Sequence, residues 1–139
     1  MILLDTNVIS EFMRLSPAPE VQSWMRTQSP TALFICAVTE AELRLGLQIL
    51  PPGKRRDGLE VALELVLTED FAGRVLPFDQ TAATAYAQIV ADRRRAGRPI
   101  MQFDAQIAAI ARSRGASLAT RNIDDFVDCG IRVINPWRE

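Results

Sequence analysis

The sequence predicts an α/β fold in which a mainly parallel central sheet of about five strands is covered by helices on both faces. Three observations predict it. Short, mostly apolar runs recur along the chain, and longer stretches with helical spacing separate them. None of the short runs shows the long apolar and polar alternation of a half-exposed strand. This order favours right-handed crossovers and a binding crevice at the carboxyl ends of the strands.

Five short runs suit buried strands because they are mainly apolar. They cover residues 2–4, 33–36, 74–76, 117–119 and 131–134. Between them, apolar residues recur three or four positions apart, which is the spacing of one helix face. These helical residues are Val21, Trp24 and Met25; Leu43, Leu47 and Leu50; Leu59, Leu63, Val66 and Leu67; Ala82, Tyr86, Ile89 and Val90; and Ile107, Ile110 and Ala111.

The chain has the size and composition of one domain. It contains 139 residues, 48% of them hydrophobic, which is enough to bury a core without disulfides or structural zinc. Clusters of Pro and Gly occur at residues 17–19, 51–53 and 97–99, and each is too short to link two domains. We therefore expect a single domain over residues 1–139.

The rarest residue types exclude several kinds of chemistry. Because the chain has no histidine, it has no Ser-His-Asp triad, no paired-histidine ribonuclease mechanism and no imidazole-bound zinc. Lys54 is the only lysine, which disfavours a P-loop or a Schiff base. The net charge of −1 differs from the strongly basic balance of a non-specific nucleic-acid binder. Any RNA-binding surface must therefore be a local basic patch.

Cysteine placement and hydropathy predict a cytoplasmic protein without membrane contact. Cys36 and Cys129 are far apart and lie in or beside apolar runs, which indicates neither a disulfide nor a thiolate metal site. The apolar residues before Asp5 are too few for a secretory signal. No apolar run approaches the roughly 20 residues of a membrane span.

Three carboxylates lie just after strands or at the start of a helix. Asp5 follows the first predicted strand, Glu42 lies in the first turn after the second, and Asp104 begins the helix before the fourth. Each has an ordinary interpretation as a helix cap. Asp5 and Asp104 suit helix N-termini, and residues 39–42 have the pattern of a capping box. Taken singly, each position is more simply explained by capping.

Taken together, the three carboxylates favour a metal site. Asp104 is followed by a run rich in Ala and Ile, so its helix should be buried, where an unpaired carboxylate is costly. Three carboxylates brought together repel one another unless a cation neutralises them. All-oxygen ligation points to Mg²⁺, with Mn²⁺ as a substitute. Such an ion supports phosphodiester hydrolysis without a histidine.

Six short motifs, three of which contain these acids, follow one another along the whole chain. They are Leu4-Asp5-Thr6-Asn7, Ala41-Glu42-Leu43-Arg44-Leu45-Gly46, Phe103-Asp104-Ala105, Thr120-Arg121-Asn122, Asp125-Phe126 and Asn135-Pro136-Trp137. In this order they resemble the VapC and FitB branch of the PIN-domain toxins. The resemblance implies a PIN-like three-layer α/β/α sandwich.

The resemblance also implies an activity and its partners. It implies a Mg²⁺-dependent endoribonuclease that hydrolyses RNA with a metal-activated water and serves as the toxin of a type II toxin–antitoxin system. It further implies a homodimer and a cognate antitoxin, similar to VapB or FitA, whose tail enters the active-site groove. DNA would be bound only indirectly, through the antitoxin. By position, Asp5 and Asp104 match the principal metal ligands, and Glu42 matches the third acid.

The fourth acidic position is open to two interpretations. Some relatives carry Asp where this chain has Asn122, and in others the later acid, here Asp125, serves the site. We assign Asp125 as the fourth acid and Asn122 as a neutral ligand or water holder, although Asn122 equally suits a helix N-cap. Thr6 and Asn7 are candidates for orienting a metal-bound water or a phosphate.

Basic and apolar clusters each have two interpretations. The runs 54–56 and 93–95 are candidates for holding RNA phosphates, but most of the second is more simply explained by the helix dipole and solubility. Arg98 and Arg121 lie closer to the acidic residues and are candidate substrate ligands. Trp24, Phe78 and Trp137 are predicted to be packing residues. The apolar stretch 43–50 is a candidate partner surface, although plain core is the simpler expectation.

Other classes of protein with acidic pockets fit less well. A phosphoacceptor receiver domain needs paired acids near the first strand and a late lysine, and a haloacid-dehalogenase-like phosphatase needs an aspartate two residues after Asp5. The stronger alternative is a catalytically weak or inactive PIN-like nucleic-acid-binding protein that acts as a co-repressor with its antitoxin. Asn122 keeps this alternative open, whereas the presence of Asp5, Glu42 and Asp104 favours catalysis.

Overall fold

The computed structural model describes residues 1–139 and contains one five-stranded sheet. All neighbouring strands are parallel, and their spatial order is β3-β2-β1-β4-β5. The strands are β1 (Ile2–Leu4), β2 (Leu33–Cys36), β3 (Val75–Leu76), β4 (Ser117–Ala119) and β5 (Val133–Ile134). The predicted five-stranded parallel sheet is confirmed. Strands β3 and β5 are shorter than expected, because only two residues of each pair with a neighbour.

Six α-helices connect the strands, and none has both the length and the apolar character needed to cross a bilayer. They are α1 (Thr6–Phe12), α2 (Pro19–Thr27), α3 (Ala37–Gln48), α4 (Lys54–Leu65), α5 (Gln80–Arg95) and α6 (Gln102–Ser113). Helix α4 continues into a wider turn over Val66–Asp70. Helix α1 was not predicted, because its seven residues are too few to show an apolar repeat.

Capping residues explain where several helices begin and end. Pro19 occupies the first turn of α2, where its missing N–H costs nothing. The Asp79 side chain accepts a hydrogen bond from the Ala82 N–H at 3.0 Å and caps α5. Gly97 follows α5 with a φ of 70°, a left-handed conformation that favours glycine after a helix.

The predicted capping box at residues 39–42 does not form. Strand β2 leads directly into α3, which begins at Ala37 with Cys36 in the N-cap position. Thr39 therefore lies inside the first turn of the helix and is fully buried. Glu42 lies one turn later than expected and is free of any capping role.

The core consists of two apolar layers, one on each face of the sheet. Neighbouring residues of β1 point to opposite faces, so Leu3 and Leu4 belong to different layers and both are fully buried. The layer containing Leu3 includes Ile89 of α5 and Ile107 of α6. The layer containing Leu4 includes Trp24, Leu63 and Phe71 on the opposite face, together with Ile35 of β2. This arrangement is the predicted three-layer α/β/α sandwich.

The strand order determines where a ligand would bind. From the central strand β1 the chain first moves outward through β2 and β3, and then crosses to the other side of β1 to form β4 and β5. The connections after β1 and β4 therefore run in opposite directions, which opens a crevice at the carboxyl ends of these strands. Asp5 and Thr120 are the first residues beyond β1 and β4.

The predicted core interpretation of residues 43–50 is wrong for part of that stretch. Leu45 of α3 and Ile49, which directly follows this helix, are exposed, as are Val61 and Leu65 of α4. Between α3 and α4 lies a shallow cavity of about 620 Å³ whose apolar lining includes Leu47. The stretch keeps its outward side chains in solvent because α4 covers only one side of α3.

Candidate active site

A cavity of about 540 Å³ lies at the carboxyl ends of β1 and β4. It is lined by Asp5, Thr6, Asn7, Ser10, Glu11, Arg14, Glu42, Asp104, Arg121, Asn122 and Trp137. All predicted site residues except Asp125 and Arg98 line it. The structure thus brings together three carboxylates that are distant in the sequence.

Asp5 is both a helix cap and a wall of the cavity. Its Oδ1 accepts a hydrogen bond from the Thr6 N–H at 2.8 Å, so the capping interpretation is correct for this residue. Its Oδ2 accepts another from the Thr120 hydroxyl at 2.8 Å. Asp5 is only 5% exposed, and this burial raises the pKa of its carboxyl despite the two hydrogen bonds.

Asp104 lies in the first turn of α6 and is half-buried. The pKa of its carboxyl is raised to about 6, first by burial and then by the charges of Asp5, Asp125 and Glu42, while Arg93 opposes the shift. The site therefore concentrates negative charge. A cation placed among these acids would be attracted by all of them.

Glu42 is oriented by a pair of threonines. The Thr6 hydroxyl donates a hydrogen bond to Glu42 Oε1 at 2.8 Å, and Thr39 Oγ1 lies 3.3 Å from the same hydroxyl oxygen. Thr6 belongs to α1 and Thr39 to α3, so the contact joins the helices that follow β1 and β2. Thr6 therefore holds a carboxylate in place.

Thr120 is a site residue that the sequence analysis missed. It is fully buried directly after β4, and its hydroxyl oxygen accepts from the Asn122 N–H at 3.1 Å while its proton goes to Asp5. Asn7 Nδ2 lies 3.3 Å from the same oxygen. The position of Thr120 immediately after a strand, like that of Asp5, was the available signal.

Asn7 connects the two sides of the crevice. Its amide nitrogen lies 3.4 Å from Asp5 Oδ2, and its Oδ1 accepts a hydrogen bond from the Arg121 N–H at 3.3 Å. One side chain of α1 thus contacts both the Asp5 carboxylate and the segment after β4. Its position is determined by these contacts.

The remaining predicted residues lie at or beyond the rim of the cavity. Asp125 is exposed in a short 3-10 helix over Ile123–Phe126, and its charge raises the pKa of both Asp5 and Asp104. Asn122 occupies the N-cap position of this helix, but its side chain makes no capping hydrogen bond. Arg98 pairs with Asp128 at 3.3 Å outside the cavity, so the structure does not place it among the acids.

Arg93 differs from the other members of its basic run. Its side chain is buried at 5% exposure and donates hydrogen bonds to the carbonyl oxygens of Arg98, Asp125 and Val127 at 2.6 Å, 3.1 Å and 2.8 Å. The surface interpretation of residues 93–95 is therefore wrong for Arg93. This guanidinium holds the segment that carries Asp125.

Glu11 and Trp137 also line the cavity, although the sequence analysis gave neither of them a role in the site. Glu11 of α1 is buried and pairs with Arg14 at 3.1 Å. Trp137 is partly buried against the core, and the Arg121 guanidinium lies over its ring at 5.1 Å from the centroid. The packing interpretation of Trp137 is correct, but Trp137 also faces the cavity.

The donor groups of the site suit a hard divalent cation. The cavity offers the carboxylates of Asp5, Glu42 and Asp104, and threonine hydroxyls and asparagine amides lie beside them. Oxygen atoms of these kinds are the ligands that such cations prefer. No three Asp, Glu or Cys side chains of the chain converge closely enough to ligate one ion directly. An ion held here would accordingly keep water ligands, as Mg²⁺ usually does.

Comparisons with known proteins identify the family of this chain. A family model described as PIN domain matches residues 2–130. The "VapC ribonuclease Y4jK" of Sinorhizobium fredii is 43% identical over 137 residues, covering 99% of this chain and 98% of the relative. The "Toxin FitB" of Neisseria gonorrhoeae is 41% identical over 139 residues, covering 100% of both chains.

The fold has an equally extensive counterpart among solved structures. The crystal structure of FitAcB from Neisseria gonorrhoeae superposes with a TM-score of 0.93 at 41% identity, covering 100% of each chain. The parallel sheet and its helical layers agree with this likeness. The chain therefore belongs to the PIN-domain family and, within it, to the VapC and FitB toxins.

Proposed function

We propose that this protein is a Mg²⁺-dependent endoribonuclease and the toxin of a type II toxin–antitoxin system. The observation that carries the proposal is the meeting of Asp5, Glu42 and Asp104 on one cavity at the carboxyl ends of β1 and β4. Family membership supports a ribonuclease, and the donor groups support the metal. Mn²⁺ is expected to substitute for Mg²⁺ because both ions prefer oxygen ligands.

The carboxylates of Asp5 and Asp104 would hold the metal, with Glu42 as the third acid. When bound, Mg²⁺ supplies Lewis-acid activation of water and of the scissile phosphate. Thr120 and Thr6 keep Asp5 and Glu42 in place through hydrogen bonds of 2.8 Å each. Asp125 would add negative charge from the rim, and Asn122, which lines the cavity, would hold water or substrate.

The proposal includes partners other than RNA. The exposed apolar side chains Leu45 and Ile49 at the end of α3, and Val61 and Leu65 of α4, support binding of an apolar helix from the antitoxin. DNA would be contacted through the antitoxin, and the chain itself would form a homodimer. Light scattering of the purified chain, alone and with its coexpressed antitoxin, tests both associations.

The alternative is a PIN-like protein that binds nucleic acid as a co-repressor without cleaving it. One observation favours it: no three carboxylates converge as a ready-formed metal cage. We favour catalysis because Asp5, Glu42 and Asp104 line one cavity, and because the charges of Asp5 and Glu42 raise the pKa of Asp104. The two functions differ in whether RNA is cut.

The deciding experiment is RNA cleavage with a variant control. End-labelled RNA is incubated with wild type, Asp104→Asn and Asp92→Asn in Mg²⁺, in Mn²⁺ and in excess chelator. Asp92 is a matched control because it is an exposed acid that pairs with Arg95 on α5, away from the cavity. The proposal is supported if wild type and Asp92→Asn cleave the RNA, Asp104→Asn does not, and chelator abolishes the cleavage. Binding of RNA without cleavage by any of the three proteins would favour the co-repressor.

A further inference from the structure

Two arginines line the cavity, and they are in different states. Arg14 is paired with the buried Glu11 at 3.1 Å. The Arg121 guanidinium makes no ion pair and no hydrogen bond within the chain. Arg121 is therefore the cation in this cavity whose hydrogen-bond donors are available to a ligand.

Arg121 is nevertheless held in place from two directions. Its N–H donates to Asn7 Oδ1 at 3.3 Å, which positions its backbone beside Asp5. Its guanidinium lies over the indole of Trp137, 5.1 Å from the ring centroid, within the range of a cation–π contact. The backbone N–H of Trp137 donates a hydrogen bond to Asn135 Oδ1 at 3.0 Å, and the Trp137 ring packs on the core. Trp137 thus supports the Arg121 guanidinium at the cavity.

The charge of the cavity explains why an unpaired arginine is useful there. Four carboxylates line it, those of Asp5, Glu11, Glu42 and Asp104, against two guanidinium groups. The negative phosphates of an approaching RNA backbone are repelled by these carboxylates. A guanidinium presents several N–H donors in a fixed plane that matches phosphate oxygens, and stacking on Trp137 leaves its edge free for them.

We propose that Arg121, supported by Trp137, binds a backbone phosphate of RNA adjacent to the phosphate that is cleaved. The inference rests on the proposed ribonuclease function and names the group that places the substrate. Arg121 is a phosphate ligand, and Trp137 is a positioning residue that acts through it. An acidic side chain of a protein partner is the competing occupant of this guanidinium.

The test measures RNA binding separately from cleavage. All variants are made in an Asp104→Asn background, and a fluorescein-labelled 12-nucleotide single-stranded RNA is titrated in Mg²⁺ at several salt concentrations. The variants are Arg121→Met, Arg121→Lys, Trp137→Phe and the control Arg138→Met, an exposed arginine near the same end of the chain that does not line the cavity. Thermal unfolding of each variant confirms that it is folded.

We expect Arg121→Met to weaken binding about tenfold and to reduce the slope of log K against log salt by about 0.7, the change for one phosphate contact on a single strand. Arg121→Lys should recover part of the affinity but not the bidentate geometry. Trp137→Phe should weaken RNA binding less than Arg121→Met does. The double variant should bind about as weakly as Arg121→Met alone, because both changes affect the same phosphate contact. Arg138→Met should behave as the parent.

A chemical variant of the RNA identifies the contact directly. Neutral methylphosphonate linkages are introduced one at a time along the 12-mer. At one linkage the parent should lose affinity while Arg121→Met loses none, which would locate the phosphate that Arg121 binds. If Arg121→Met binds every RNA as tightly as its parent, the inference is wrong while the ribonuclease function stands.

Two further outcomes separate the inference from the function on which it rests. If the Asp104→Asn parent binds no RNA and wild type cleaves none, the proposed function fails and the inference fails with it. If Arg121→Met retains RNA binding but no longer copurifies with the coexpressed antitoxin, the guanidinium serves the protein partner and the inference is overturned.

Discussion

The Thr120 hydroxyl donates a 2.8 Å hydrogen bond to Asp5 Oδ2 across 115 positions of sequence. Both residues are buried, and they are the first residues beyond β4 and β1. The Asp5 N–H donates to the Ala119 carbonyl at 2.9 Å beside this contact. The carboxyl ends of the two strands are therefore joined where the acidic cavity opens.

Replacing Thr120 tests the structural importance of this contact. Thr120→Val keeps the shape but removes the donor, so a buried carboxylate loses a hydrogen-bond partner, and we expect a loss of about 1–3 kcal/mol in the free energy of unfolding. Urea unfolding at neutral pH measures it. Thr120→Ser retains the hydroxyl and should lose less. Equal stability of the Val and Ser variants would show that the hydrogen bond contributes nothing.

The raised pKa of Asp104 makes the stability of the metal-free protein depend on pH. Its folded pKa of about 6 exceeds the ordinary value of 3.8 expected in the unfolded chain, so the folded state binds its proton more tightly. This stabilising contribution is fully present below pH 3.8 and is lost as the pH rises through about 6. Asp104→Asn should therefore become more stable relative to wild type between pH 4 and pH 7.

Unfolding midpoints of wild type and Asp104→Asn, measured in chelator at several pH values, check this expectation. The sign is specific, because a carboxylate with a lowered pKa would give the opposite trend. Asp92→Asn provides the matched comparison at an exposed acid. A constant difference between wild type and Asp104→Asn across this range would contradict the assigned burial and charge repulsion.

Arg93→Met should reduce both stability and activity. It removes a buried guanidinium and leaves the carbonyls of Arg98, Asp125 and Val127 without this donor, which should cost at least about 2 kcal/mol. Because the Asp125 segment is held by these bonds, RNA cleavage should fall further than the folded fraction does. The control Arg95→Met, an exposed residue of the same helix, should change neither quantity. Full specific activity of the folded Arg93→Met fraction would disprove the positioning role.

Thr6 tests the orientation of Glu42 without changing a carboxylate. Thr6→Val removes the hydroxyl that donates to Glu42 Oε1, and we expect cleavage to fall about tenfold, as for other residues that orient metal ligands. Thr6→Ser should retain most of the activity. Single-turnover cleavage rates at saturating protein provide the measurement. A Val variant as active as the Ser variant would mean that Glu42 needs no orientation by Thr6.

Much of the fold was predictable because its determinants are local. The apolar run at residues 2–4 indicates a buried strand, and the strand is followed by an aspartate that caps the next helix. The spacing of Ala82, Tyr86 and Ile89 indicates α5 for the same reason. The short helix α1 escaped prediction because seven residues contain too little of a repeat.

The sequence by itself determined the order of the strands and of the longer helices and the three acids Asp5, Glu42 and Asp104, since local periodicity and residue chemistry act over a few positions. Tertiary structure alone decided that Thr120 binds Asp5, that Arg93 is buried and that Arg121 lies on Trp137. Those contacts join residues that are far apart in the sequence: Arg121 and Trp137 are separated by 16 positions, Arg93 and Asp125 by 32, and Thr120 and Asp5 by 115. The physical reason is that side-chain partners follow from how the sheet and its two helical layers close around the core, which no local pattern contains.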